Sequence, residues 1–202
     1  MQVRLATAVA VCAILATAAP AAAEAPDCPH DREALLSLDV VAFDHTLNAG
    51  WRPLADVAGC EGVAADLIAE YRKRHEARLR PDQRLGLAWH EAQLRAATGD
   101  YARAIPLFEA ALPARERNED RWFYGQATLA FLRGDRARLE AVRAEYARLP
   151  KPDWFDKEAE RIKAQEGADL AWPMNLHIVD GLIRCFGRPY REAYAGCRAA
   201  DG

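Results

Sequence analysis

Apolar residues recur at three- and four-residue intervals along most of this chain, and no segment alternates cleanly between apolar and polar positions. The first spacing lines one face of a helix; the alternation a half-buried strand needs is missing. Residues 62–77 are predicted to form a long amphipathic helix, with Ala64, Leu67, Ile68 and Tyr71 on one face and Arg72, Lys73, Arg74 and Glu76 off it. Residues 81–98 place Leu85, Ala88, Trp89, Ala92 and Ala96 together, and residues 101–112 place Ala104, Ile105, Phe108, Ala111 and Leu112 together. Helices follow over 119–133, carrying Trp122, Phe123, Leu129 and Leu132, and over 136–149. A polar helix is predicted over 153–166, with Trp154 and Phe155 near its start. Residues 174–186 carry the clearest stripe: Ile178, Val179, Leu182, Ile183 and Phe186. The N-terminal part is more irregular, with short helices predicted over 31–38, 40–47 (capped by Asp39) and 51–57, and a last short helix over 189–194.

Two breaks in this pattern are alike. Gly99-Asp100 and Gly134-Asp135 each stop one helix and start the next, because glycine ends a helix and aspartate caps one. They lie 35 residues apart, a period that marks a helical array. Residues 113–118, 150–152 and 167–173 read as linkers.

Residues 85–149 resemble a pair of tetratricopeptide repeats. Gly99-Asp100-Tyr101 is similar to the turn inside that repeat. Ala104, Phe108 and Ala111 are similar to its second-helix signature, and Ala92 to the small position of its first helix. Ala88, Glu91 and Arg95 depart from the pattern, and the closing proline is absent. In the second copy Ala127 and Gly134-Asp135 are retained, while Leu139 and Arg143 stand at the Ala and Phe positions. The resemblance covers about a third of the chain. It implies an all-α, tetratricopeptide-like α-solenoid of antiparallel helix hairpins (82–113 and 119–149); from the chain pattern and cysteines, irregular, disulfide-stapled ends and a C-terminal cap over 173–197 are expected beside it. It implies a protein or peptide partner without naming one.

The first 23 residues change the setting. Arg4, an apolar run from Leu5 to about Ala19, then Pro20 and Ala21-Ala22-Ala23 have the order of a secretory signal peptide. Cleavage is expected after Ala23, with Ala25 as the close alternative. Residues 24–202 then form one all-helical domain, bacterial and periplasmic or secreted, with no membrane span after cleavage. Cleavage removes only Arg4 from the charged set, leaving 26 basic against 30 acidic residues, a balance of −4. The signs are mixed, so no basic footprint for nucleic acid is present. Four cysteines remain, and export favours disulfides. Three pairings are open; Cys28–Cys60 and Cys185–Cys197 are favoured because each pair flanks one local helical unit.

Candidate chemistry is sparse. His90-Glu91 and His75-Glu76 begin the zinc-hydrolase motif, but Leu94 and Leu79 stand where the second histidine belongs, so both histidines read as helix-surface residues. Ser37 is the single serine, and Thr46, Thr98 and Thr128 fall in or at the ends of helices. Glu119-Asp120 are carboxylates that suit either acid–base work in a cleft or a helix start. Arg184, Arg188, Tyr190 and Arg191 crowd a turn near Cys185 and Cys197; they suit a carboxylate or peptide clamp, or a cap that covers the array and binds helix-end carbonyls. No cofactor or metal is expected. The expected function is an exported protein-interaction or scaffold module, with Trp89, Gln93, Trp122 and Gln126 on the concave face. A hydrolase with an unrecognised site, or a structural or inhibitory envelope protein, are the alternatives.

Overall fold

The computed structural model describes residues 27–197, and the expected signal peptide lies outside them. Among the described residues the chain is all helical. The α-helices are α1 (Arg32–Ser37), α2 (Arg52–Ala55), α3 (Glu61–Arg74), α4 (Pro81–Ala97), α5 (Tyr101–Ala111), α6 (Glu119–Leu132), α7 (Arg136–Tyr146), α8 (Phe155–Glu166) and α9 (Leu176–Arg184). Two predicted short helices are instead single π-helical turns, Val41–His45 and Glu192–Gly196. At the first, Asp39 does cap, accepting from the N–H groups of Val41 and Ala42 at 2.9 and 3.0 Å. Too few residues follow before the break at 48–50 for a full helix to propagate.

The two Gly-Asp turns are built alike. Asp100 N–H donates to the Arg95 carbonyl and Gly99 N–H to that of Ala96; Asp135 N–H donates to Ala130 and Gly134 N–H to Phe131. Gly99 and Gly134 have φ of +82° and +71°, the left-handed conformation that this helix end requires. Each aspartate then accepts from the N–H three residues on, at Arg103 and Arg138.

α4 packs against α3 on one side and α5 on the other, and α6 packs against α5, α7 and α9. This position decides what each helix buries. α4 sends Ala88, Trp89, Ala92 and Ala96 into the larger core and Leu87 into a second core built from Leu36, Phe43, Trp51, Leu54, Ile68 and Tyr71. The expected single face of α4 is therefore two, and Leu85, expected inside, is exposed: it lies in the first turns, where no neighbour covers it. α6 is buried nearly all round, from Phe123 through Leu132 with only Gln126 partly open, which fits a central helix. The other predicted faces are buried at Ala64, Leu67, Ile68 and Tyr71 of α3, at Ala104, Phe108 and Ala111 of α5, and at Ile178, Val179 and Leu182 of α9.

Two disulfides close the ends, Cys28–Cys60 and Cys185–Cys197, in the favoured pairing. No helix of the described residues is long and apolar enough to cross a membrane.

Candidate functional site

The residues expected on a concave face do not form one open surface. Trp89 is a core residue, edge-on to Phe108 with centroids 4.8 Å apart and covered by the Arg121 guanidinium at 5.0 Å. Its stripe points at α5 and α6 because Ala88 and Ala92 let those helices come close. Gln93 is half-buried and donates to the Tyr194 hydroxyl at 3.4 Å. Tyr194 also hydrogen-bonds Tyr124 of α6; burial, then the neighbouring Tyr190 and Tyr194, push the Tyr124 phenol well above its ordinary value. The chain's own C-terminal turn thus covers the Gln93–Tyr124 area. Trp122 and Gln126, one turn apart on α6, keep partial exposure, and Arg115 stacks over Trp122 at 5.2 Å.

The C-terminal cluster is engaged mainly within the molecule. Arg184 donates to the Cys197 carbonyl, with Nε at 2.8 Å. Arg191 reaches the Ala97 carbonyl, at the end of α4, and the Glu61 carboxylate that begins α3. Arg188 pairs with Glu192 on the surface. Tyr190, expected to meet a partner, is buried, and its N–H donates to the Tyr101 hydroxyl at 2.9 Å. These contacts seat the turn against α3, α4 and α5.

The two histidines expected on the helix surface are half-buried and bonded. His75 Nε2 meets the Leu36 carbonyl at 2.8 Å. His90 Nδ1 lies 2.7 Å from Oδ1 of Asp44, a residue 1% exposed, and Trp51 Nε1 donates to the same oxygen at 2.9 Å. Burial raises the Asp44 carboxyl; the bonds from His90 and Trp51 and the charge of Arg52 outweigh it, so its pKa lies below the ordinary value. No sequence motif links Asp44 to His90; the segment before α2 must fold back on α4 to join them. Glu91 forms a second cluster, between Arg72 at 2.6 Å and Arg95 at 3.3 Å, and holds α3 to α4. No group of three metal-ligating side chains occurs among the described residues.

A further buried carboxylate lies at the start of α6. A groove of about 360 Å³ runs between residues 116–120, the 149–152 linker, Trp154 and residues 172–174. Trp154 and Trp172 meet edge-on, with centroids 6.2 Å apart, and Trp172 is fixed by donating to the Leu149 carbonyl at 2.9 Å. Asp120 lines the groove although only 4% exposed. Its Oδ1 accepts from the Tyr146 hydroxyl at 2.8 Å and the Met174 N–H at 3.0 Å. Burial raises the Asp120 carboxyl above its ordinary value, and those two bonds offset only part of the rise. Burial, then the Asp120 charge, also pushes Tyr146 up.

Sequence reasoning flagged Asp120 as one of a carboxylate pair and missed Tyr146; the tryptophans, Trp154 and Trp172 among them, are expected mostly in the core, with one or two lining a groove. In the structure the pair divides: Glu119 is exposed and pairs with Arg115 at 2.9 Å, while Asp120 turns inward. The available signal was Tyr146 at the last turn of a polar helix, followed by Leu149, Pro150 and Pro152. It was weak, because its partner is 26 residues away.

Comparison with family models, curated proteins and solved structures finds no significant match to this chain.

Proposed function

We propose that this chain is an exported, divergent tetratricopeptide-like module, an α-solenoid of antiparallel hairpins that holds a protein or peptide partner in the bacterial cell envelope. The observation that carries the reading is the pair of Gly-Asp turns, with the same two backbone bonds, the same left-handed glycine and the same aspartate cap, 35 residues apart. Helix pairs α4–α5 and α6–α7 pack around them. At the departure Arg143, the guanidinium takes both oxygens of Asp180 on α9, at 2.7 and 3.2 Å, and so ties α7 to α9. The two disulfides favour an oxidising compartment and so support a periplasmic or secreted location.

On this reading the docking surface is the edge of the first-helix face around Trp122 and Gln126, since the area nearer Gln93 is filled by Tyr194. The test is site-specific photocrosslinking in intact cells from Gln126, with Glu140 on α7 as the control position. A discrete adduct from Gln126 alone is expected; equal labelling from both positions, or none from Gln126, counts against the assignment.

A hydrolase is the second reading, and Asp44–His90 is what favours it. A buried carboxylate orients the ring and leaves Nε2 without a partner among the described residues. Against it, the hydroxyls of Ser37, Thr46, Thr98 and Thr128 all donate to backbone carbonyls within their own helical segments. An ester and peptide substrate screen with His90→Ala as the control decides: turnover lost in the variant supports the hydrolase.

A further inference from the structure

We propose that the groove at the start of α6 binds an alkylammonium group, with Asp120 as its counter-ion and the rings of Trp154 and Trp172 as its walls. This goes beyond the interaction-module reading and does not depend on it. Asp120 is more than nine-tenths buried, yet both of its protein donors go to Oδ1. Oδ2 has no protein partner among the described residues and keeps a narrow contact with solvent, in a side chain that lines an open groove. A carboxylate taken this far out of water is normally paired or fully hydrogen-bonded, because leaving it otherwise is costly.

The neighbouring cations are paired elsewhere. Arg115 is held by Glu119, and Lys151 by Asp156 at 2.7 Å. No ion pair among the described residues reaches Asp120. The rim adds Glu116 and Glu119 against Arg117, so the local balance stays acidic. The walls suit a cation with an apolar stem. Trp154 leaves 54% of its surface in water, an unusual exposure for so large a ring, and indole faces attract ammonium groups. Leu149 and Met174 supply aliphatic lining next to them. An anion would meet Asp120 head-on, and a neutral apolar ligand would leave its charge unmatched. The groove's volume accommodates a small amine.

The test is titration of the protein with n-pentylammonium and with 1-pentanol, its uncharged counterpart. Binding is followed by tryptophan fluorescence and by the indole N–H signals of Trp154 and Trp172. Pentylammonium should bind saturably and about tenfold or more tightly than pentanol. Asp120→Asn, which keeps an acceptor for Tyr146 and Met174, should bring pentylammonium down to the pentanol level and leave pentanol unchanged. Trp154→Ala, at an exposed position, should weaken both ligands. Competition by N-acetyl-lysinamide assigns a protein lysine as an acceptable source of the ammonium; its failure to compete assigns the site to free amines. Equal affinity for the two pentyl probes, full ammonium affinity in Asp120→Asn, or no saturable binding would each overturn the proposal.

Discussion

His90 on α4 and Asp44 in the first π-helical turn are 46 residues apart in sequence and 2.7 Å apart in space. The pair joins the irregular N-terminal segment to the regular helices, and it is sealed by Trp51, whose ring lies 5.4 Å from the imidazole. His90→Ala is expected to cost about 1–3 kcal/mol, since it removes one donor from a buried carboxylate. Urea unfolding of the two proteins measures this directly.

The same pair sets an acid limit. The folded-state pKa of Asp44 is lowered, so its contribution to stability is fully present above the unfolded value of about 4 and is lost as pH falls through the folded value. Stability measured from pH 6 downward should therefore fall less steeply in His90→Ala than in the parent, because the variant has less of this contribution to lose.

Asp120 has the opposite sign. Its folded-state pKa is raised, so the native state holds the proton more tightly and stability falls as pH rises through the interval between the unfolded and folded values. Asp120→Asn should raise the melting temperature at pH 7, and the gain should vanish below about pH 4, where the aspartate is protonated in both states. An unchanged or lower melting temperature at pH 7 would show that the buried charge is satisfied within the fold.

The C-terminal turn is held by a short loop, the cysteines being 12 residues apart. Cys197→Ser should cost about 3 kcal/mol, the chain-entropy value for a loop of this size. It should also free Tyr194 from Gln93 and Tyr124. Hydrogen exchange would then rise at residues 189–197, and solvent access would rise around Tyr124, with the middle of α5 unaffected.

Gly181 gives an independent handle on that turn. A Cβ there would stand 3.0 Å from the Ala193 carbonyl oxygen and 3.2 Å from that of Cys197, both backbone atoms with little room to yield. Gly181→Ala should destabilise the protein by about 1–3 kcal/mol, the range for forcing extra volume into a packed site. The loss should be smaller in the Cys197→Ser background, where the turn is free to move. Comparing the two melting-temperature shifts checks this.

Legibility in the sequence followed the range of the interactions. The helices from α3 onward, the caps at Asp100 and Asp135 and the stripe Ile178–Val179–Leu182 depend on residues within a few positions of each other, so periodicity and turn chemistry reveal them. The cysteine pairing was favoured among three on a looser ground, each bridge closing one helical unit although the partners stand 32 and 12 residues apart. The second apolar face of α4 was not, because it exists only where α3 lies against Leu87. Nor was the covering of Gln93, which depends on Tyr194, a residue 101 positions further on.

By itself the sequence determined an all-helical chain and its punctuation, since these follow from backbone geometry and short-range contacts, and it favoured the two staples without fixing their pairing. Only the tertiary structure decided that His90 meets Asp44, that Tyr194 occupies the face offered by Gln93, and that Asp120 rather than Glu119 turns into a groove. Those outcomes are set by which helices pack together, and burial then converts ordinary side chains into bonded or unmatched ones.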